Sequence, residues 1–297
     1  MRVLRSAREA DTAERAVAIG TFDGVHRGHR ATIAAAVATG LRSTAVTFAP
    51  HPRLVLGYDV QLLAPLERRL ELLAEAGPDE TLVVEFTPEL SRLQPDEFVD
   101  AVLRPLGTRV IVAGEGFRFG AGRRGDLDLL RRLEFDVRPV PLVTGVSSTR
   151  IRELLRTGDV RRAATLLGRA PEVEGTVVAG DQRGGTLGFP TANLAVAPAM
   201  LVPAHGIYAG RAVTAGGSNY RSAVSIGVNP HYGGSERRIE AFLLDFEGDL
   251  YGARVRLELW DRLRDERAFA SEAELVEQIA RDVDAARCAG PPPVSDS

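Results

Sequence analysis

Gly20-Thr21-Phe22-Asp23-Gly24-Val25-His26-Arg27-Gly28-His29 decides the reading of the first half of this chain. An apolar run, Ala16-Val17-Ala18-Ile19, leads into it, and an alanine-rich segment from His29 to Thr39 follows. Strand, tight turn and helix start in that order suit phosphate, because helix N-terminal N–H groups and the helix dipole favour an anion. Gly20, Gly24 and Gly28 let the backbone turn tightly and approach a ligand. His26 and His29 can donate hydrogen bonds to phosphoryl oxygens as charge develops in a transition state. Their spacing would also suit a metal, but no third soft ligand is nearby, and plain packing is the bland alternative. Asp23 either holds the turn or orients a ligand or magnesium.

Outward from that stretch the first half alternates strand and helix. Strands are expected at Val17–Gly20, Ser43–Phe48, Thr81–Phe86, Arg109–Ala113 and Val137–Val143. Helices are expected at His29–Thr39, Pro65–Ala76, Pro95–Leu103, Asp126–Leu133, Thr149–Arg156 and Asp159–Leu167. This rhythm implies a mostly parallel sheet with helices on its faces, and ligands at the carboxyl ends of its strands. From Pro171 the pattern changes to short strands punctuated by glycine and proline: Val173–Val178, Gly206–Thr214, Tyr220–Ile226, Ile239–Leu244 and Ala253–Leu259. Such a run without intervening helices suggests a small antiparallel barrel. A helix over Ser271–Arg287 should pack against it. The fold class is therefore α/β: a Rossmann-like N-terminal domain over 1–170, a barrel domain with a terminal helix over 171–289, and a disordered tail over 290–297.

Composition bounds the function. A chain of 297 residues can hold two domains, each burying its own core. A formal net charge of -3 lacks the basic footprint of a nucleic-acid binder. Neither a secretory signal nor an 18-residue apolar run is seen, so no membrane association is expected. One cysteine, Cys288, cannot form an intramolecular disulfide, and a cytoplasmic location fits. All 37 basic residues are arginine. Without lysine, a Walker A loop and Schiff-base chemistry are excluded, and phosphate must be met by Arg, His or a metal. Self-association is left open.

Further motifs sit at expected strand ends and helix starts. Thr47 to Pro52 places His51 between two prolines, as a loop residue or a substrate contact. Gly114 to Gly125 is a glycine-rich loop carrying Arg118, Arg123 and Arg124. Ser147, Ser148 and Thr149 can cap a helix, and Arg150 can reach a phosphate. In the second half, Gly188-Phe189-Pro190-Thr191-Ala192-Asn193 follows Gly184-Gly185-Thr186-Leu187. Thr191 and Asn193, two apart on extended backbone, put two hard oxygen donors on one side, suited to magnesium carrying ATP phosphates. A local turn of Asn and Thr is the alternative. Glu240 interrupts an apolar strand, which on its own could mean only a solvent-facing position. Glu266 is a weaker rival carboxylate on a surface loop. Asn229-Pro230-His231-Tyr232 could form a flap, and Arg262, Arg264 and Arg267 read as a solvated cluster near a helix start. His205 reads as a loop residue, and Tyr208 and Trp260 as packing.

Taken together, these motifs resemble the bacterial bifunctional riboflavin kinase/FAD synthetase family. Gly20 to His29, Pro50-His51-Pro52, Phe117-Arg118-Phe119-Gly120 and Ser147 to Arg152 resemble its adenylyltransferase domain. Gly188 to Leu194, Gly206 to Ala209, Ile226 to Pro230, Ile239 to Phe246 and Asp249 to Gly252 resemble its kinase domain. The resemblance implies phosphorylation of riboflavin to FMN and adenylylation of FMN to FAD, with ATP and Mg2+. It implies ATP phosphate contacts at His26, His29, Ser148, Thr149 and Arg150, with Phe22, Asp23, His51 and Phe119 beside the nucleotide. It implies nucleotide and magnesium binding at Gly188, Pro190, Thr191 and Asn193, and a catalytic carboxylate at Glu240. The sequence departs from the family at Gly116, where the family carries Asn or Asp. A kinase with a weakened or respecialised first domain is thus a second reading, and a non-catalytic flavin-binding regulator a third.

Overall fold

The computed structural model describes residues 1–180, 188–228 and 237–293. Gly184 to Leu187, the Asn229–Tyr232 element and the last four residues of the tail lie outside them. The chain divides into two compact units, Met1–Ser148 and Thr149–Ser297.

The first unit is built on six strands: β1 (Arg2–Leu4), β2 (Arg15–Ile19), β3 (Arg42–Ala49), β4 (Glu80–Glu85), β5 (Thr108–Gly114) and β6 (Asp136–Val140). They lie in the order β1-β4-β3-β2-β5-β6, and every pairing is parallel. Successive β2 residues are buried on opposite faces, as a parallel sheet covered on both sides requires. Val17 and Ile19 join a core with Phe98, Leu103 and Leu130. Ala16 and Ala18 join another with Ile33, Leu72 and Leu73. The second core is closed by α1 (Arg27–Val37) and α3 (Leu66–Glu75), with α2 (Pro52–Val55) between them in sequence. On the other side lie α4 (Pro88–Arg92), α5 (Pro95–Phe98) and α6 (Leu127–Arg132). The helix expected over Pro95–Leu103 changes character at Val99, where a π-helical segment runs to Leu103.

The amino edge of the sheet is fixed by an ionic cluster. Arg15 is fully buried and donates to Glu80 at 2.9 Å, to Asp11 at 2.8 Å and to the Leu106 carbonyl at 3.1 Å. Hydrogen bonds and ion pairs of this kind offset the cost of burying a guanidinium.

In the second unit, α7 (Ser148–Arg156, its first residue the last of unit one) and α8 (Val160–Leu167) precede a closed barrel. The barrel strands are β7 (Glu172–Val178), β8 (Thr191–Ala195), β9 (Gly206–Thr214), β10 (Asn219–Val228), β11 (Arg237–Leu243) and β12 (Arg254–Arg264), in the order β10-β11-β8-β7-β12-β9. All pairings are antiparallel. Leu194, Ile239, Ala241 and Leu243 are buried, and the residues alternating with them are more exposed. That period of two is what a small filled barrel demands. The division at Ser148 falls ahead of the change in composition at Pro171 because α8 packs on β12.

The terminal helix, α9 (Glu272–Cys288), is capped by Ser271, whose side chain accepts from the Glu274 N–H. Arg262 and Arg264 belong to β12 rather than to a helix start. Arg264 is not a solvated charge: it grips Asp282 of α9 through bonds of 2.6 to 3.1 Å. The sequence pattern missed this because the pairing partner lies 18 residues on.

Candidate active sites

At the end of β2 the chain reverses sharply. Phe22, Gly24 and Val25 all take positive φ, at 50, 79 and 39°. Two of these are not glycine, so surrounding contacts must hold the turn. Those contacts are on hand. Asp23 is buried, and its carboxylate accepts from the Leu63 N–H at 3.0 and 3.2 Å and from the Ala64 N–H at 3.3 Å. Its carbonyl accepts from the Ser148 hydroxyl at 3.1 Å. Asp23 therefore holds the turn, one of the two roles its sequence left open, and Ser148 is brought to the same turn. At Gly24 a Cβ would meet Leu63 at 2.9 Å, so glycine there is required by space as well as by φ.

The turn ends at His26, the N-cap of α1, whose Nδ1 accepts from the His29 N–H at 3.3 Å. The His26 and His29 rings stack with centroids 3.5 Å apart and planes within 14°. His26 is buried and His29 half-buried. Phe22 is buried, and its ring meets His29 edge-on at 5.2 Å. The paired imidazoles thus sit on the first turn of α1, where N–H groups and dipole already favour an anion. A Cβ on Gly28 would press on the His26 ring at 3.3 Å.

At the end of the neighbouring β3, Ala49–Pro50 is a cis peptide bond. His51 is buried and caps α2, its Nδ1 accepting from the Arg53 N–H at 3.2 Å. Beyond β5, Phe117 and Phe119 stack at 5.6 Å, and Phe119 bridges Gly125. Gly116 lies open: a Cβ there would meet nothing within 4 Å. Thr149 and Arg150 lie in α7, where Arg150 pairs with Glu153 at 3.0 Å.

Arg69, on α3, has no place among the sequence candidates. It is 5% exposed and donates to the Thr21 carbonyl at 2.9 Å and the Phe48 carbonyl at 3.0 Å. Burial pushes its pKa down, and the Asp23 carboxylate opposes that shift. Its signal was in the sequence: Arg69 falls three and four residues before Leu72 and Leu73, on the apolar stripe of the helix.

On the barrel, Glu240 pairs directly with Asn193 of β8 on one side and with Ser225 of β10 on the other. Thr191 pairs with Phe242. The period of two puts Thr191, Asn193, Glu240 and Phe242 on one outward face. Arg238 grips a Glu240 oxygen at 2.5 Å. Gly180 makes room for the Asn193 amide, which a Cβ at that position would approach to 2.2 Å. Gly188 takes a φ of 83°, and Phe189 meets Phe242 edge-on at 5.5 Å, flanking Pro190 and Thr191. Glu266 lies between β12 and α9, its carboxylate across Gly227 of β10, where a Cβ would meet it at 2.0 Å. Tyr208 is buried and donates to the Ala204 carbonyl at 2.5 Å, and Trp260 is buried as well, so both pack as read from sequence.

A riboflavin kinase family model matches residues 167–289, and an FAD synthetase family model matches residues 8–152. The bifunctional riboflavin kinase/FMN adenylyltransferase of Bacillus subtilis is 35% identical, covering 92% of this chain and 91% of the relative. That of Escherichia coli K12 is 35% identical, covering 89% of each. A solved structure from Streptococcus pneumoniae, named a macrolide-efflux protein, superposes with a TM-score of 0.87 at 30% identity over 96% of this chain and 98% of that one. The efflux name stays with that protein; among the described residues no helix is long and apolar enough to cross a membrane. With both family regions in order and relatives matched over most of their length, the chain belongs to the bifunctional riboflavin kinase/FMN adenylyltransferase family.

Proposed function

We propose that residues 171–289 phosphorylate riboflavin to FMN, that residues 1–170 adenylylate FMN to FAD, and that both act in the cytoplasm. The observation that carries the reading is the barrel face on which Glu240 lies opposite Asn193 with Thr191 two residues along. In the kinase reaction Glu240 takes the proton of the riboflavin 5′-hydroxyl as that oxygen attacks the γ-phosphorus of ATP, and ADP leaves. Arg238 fixes the direction of the carboxylate. Gly188 and Pro190 shape the approach to the nucleotide.

Thr191 and Asn193 offer hydroxyl and amide oxygens, the hard donors that magnesium takes. Among the described residues no three His, Cys, Asp or Glu side chains gather as a metal cluster. Thr191 and Asn193 would hold a cation that arrives with the ATP phosphates. Bound there, magnesium would neutralise phosphate charge.

In the adenylyltransferase reaction an FMN phosphate oxygen attacks the α-phosphorus of ATP, the α–β bridge breaks, and pyrophosphate leaves. No protein nucleophile is needed, so positioning and charge stabilisation suffice. Gly20, Gly24 and Gly28, expected to admit a ligand, instead leave room for Phe22, Leu63 and His26, and so shape the turn that meets the nucleotide. His26, His29 and the start of α1 meet its phosphates, with Ser148, Thr149 and Arg150 supplying further donors. Asp23 and Phe22 keep the turn in shape, and His51 and Phe119 border the site. The glycine at 116, which brings no side chain to the nucleotide, is the ground for one alternative, a kinase whose adenylylation is weakened.

ATP labelled separately at the α- and γ-phosphorus tests the reading. The γ-label should enter FMN made from riboflavin, and the α-label should enter FAD. Gamma label in FMN with no α-label in any flavin would leave only the kinase.

A further inference from the structure

We propose that Arg69 is a positioning residue of the adenylyltransferase site, locking together the exits of β2 and β3 from which the His26–His29 turn and the His51 loop depart. The proposal rests on the reading of that turn as the ATP site.

The two carbonyls it holds are informative. Thr21 directly precedes Phe22, the first of the three positive-φ residues of the turn. Its carbonyl accepts from Arg69 at 2.9 Å and from the Thr47 hydroxyl at 2.9 Å. Phe48 is the next residue but one before Pro50, and its carbonyl takes the other Arg69 nitrogen at 3.0 Å. One planar guanidinium thus spans two adjacent strand ends, each opening into a motif that carries histidine. Its fork geometry does this with two separate nitrogens, which an ammonium cannot reproduce.

Burying this charge costs free energy unless it is paired or fully hydrogen-bonded. Its Nε makes no hydrogen bond among the described residues. The packing of α3 on the sheet would be served as well by leucine at this position, as it is at Leu72 and Leu73. What leucine could not do is hold the two carbonyls that terminate the strands. The strained turn is kept in shape from two sides, by Asp23 fastened to the 63–64 backbone and by Arg69 fastened to Thr21.

The test compares Arg69→Met, Arg69→Gln and Arg69→Lys in the full chain, with His29→Ala alongside. FAD formation from FMN and FMN formation from riboflavin are measured on each, with circular dichroism melting to show the fold. Arg69→Met should raise the KM for ATP in FAD formation about tenfold or more, with a smaller fall in kcat, while FMN formation stays within about twofold of wild type. Arg69→Lys should recover part of the loss. An ATP KM within about twofold of wild type in a folded Arg69→Met protein would overturn the proposal. If that variant does not fold, Arg69→Gln decides on the same criterion, and failure of both to fold assigns Arg69 to stability alone and also overturns it. His29→Ala separates the two ideas. If it leaves FAD formation unchanged, the ATP-site reading fails; if it abolishes FAD formation while Arg69→Met does not, only the Arg69 proposal fails.

Discussion

Glu240 lies directly opposite Asn193 across the β8–β11 ladder, with one carboxylate oxygen held by Arg238 at 2.5 Å. Strand register alone sets this relation between the two side chains. A one-residue slip of β11 would turn Glu240 into the barrel and Ile239 out of it.

Replacing Glu240 with Gln keeps the shape and removes the proposed base. Riboflavin phosphorylation should fall about 100-fold or more, the scale of general-base catalysis, while FAD formation from supplied FMN stays within about twofold. Flavin products separated by chromatography check this. Equal loss of both activities would contradict the assignment of separate sites.

Gly180→Ala displaces the Asn193 amide, because the new methyl would stand 2.2 Å from it. The Mg2+ concentration for half-maximal kinase activity should rise about tenfold, with FAD formation from FMN unaffected. A magnesium titration of both activities reads this out. An unchanged kinase titration would remove Asn193 from the proposed cation site.

Gly116→Asn adds a side chain at a position with room for it, since no heavy atom lies within 4 Å of an added Cβ. The variant should fold with an unchanged melting temperature and raise kcat/KM for FAD formation about threefold or more, as one added hydrogen bond would supply. Unchanged or lower activity would mean that the chain already meets the nucleotide without this side chain.

Asp11 gives a pH prediction. Hydrogen bonds from Arg15, the Ala13 N–H and Arg42 hold its carboxyl at about 2, below the ordinary 3.8. A carboxyl depressed in the folded state stabilises it fully above the unfolded pKa and loses that contribution as pH falls through the folded one. The first unit should therefore lose stability between about pH 4 and pH 2. Asp11→Asn should be less stable at neutral pH and show a flatter acid loss in urea melts. Parallel curves for the two proteins would contradict the assignment.

Much of this was legible in the sequence because it is local. The turn at Gly20 to His29, the helix behind it and the alternation that exposes Glu240 each depend on neighbours within a few residues. The strands were found within a few residues, β1 and β8 excepted: β1 is three residues long and β8 follows a proline. What the sequence could not show depends on distant partners. Arg69 reaches carbonyls 48 and 21 residues away. Asp23 finds the 63–64 backbone, and Arg264 finds Asp282. Arg264 read as solvated because only the fold brings its acceptor to it.

The most direct test is to incubate the chain with ATP and Mg2+, starting once from riboflavin and once from FMN, and to separate the flavins. Both FMN and FAD should form from riboflavin, and FAD from FMN. No FAD from supplied FMN, with FMN still made from riboflavin, would contradict the claim that one chain carries both reactions.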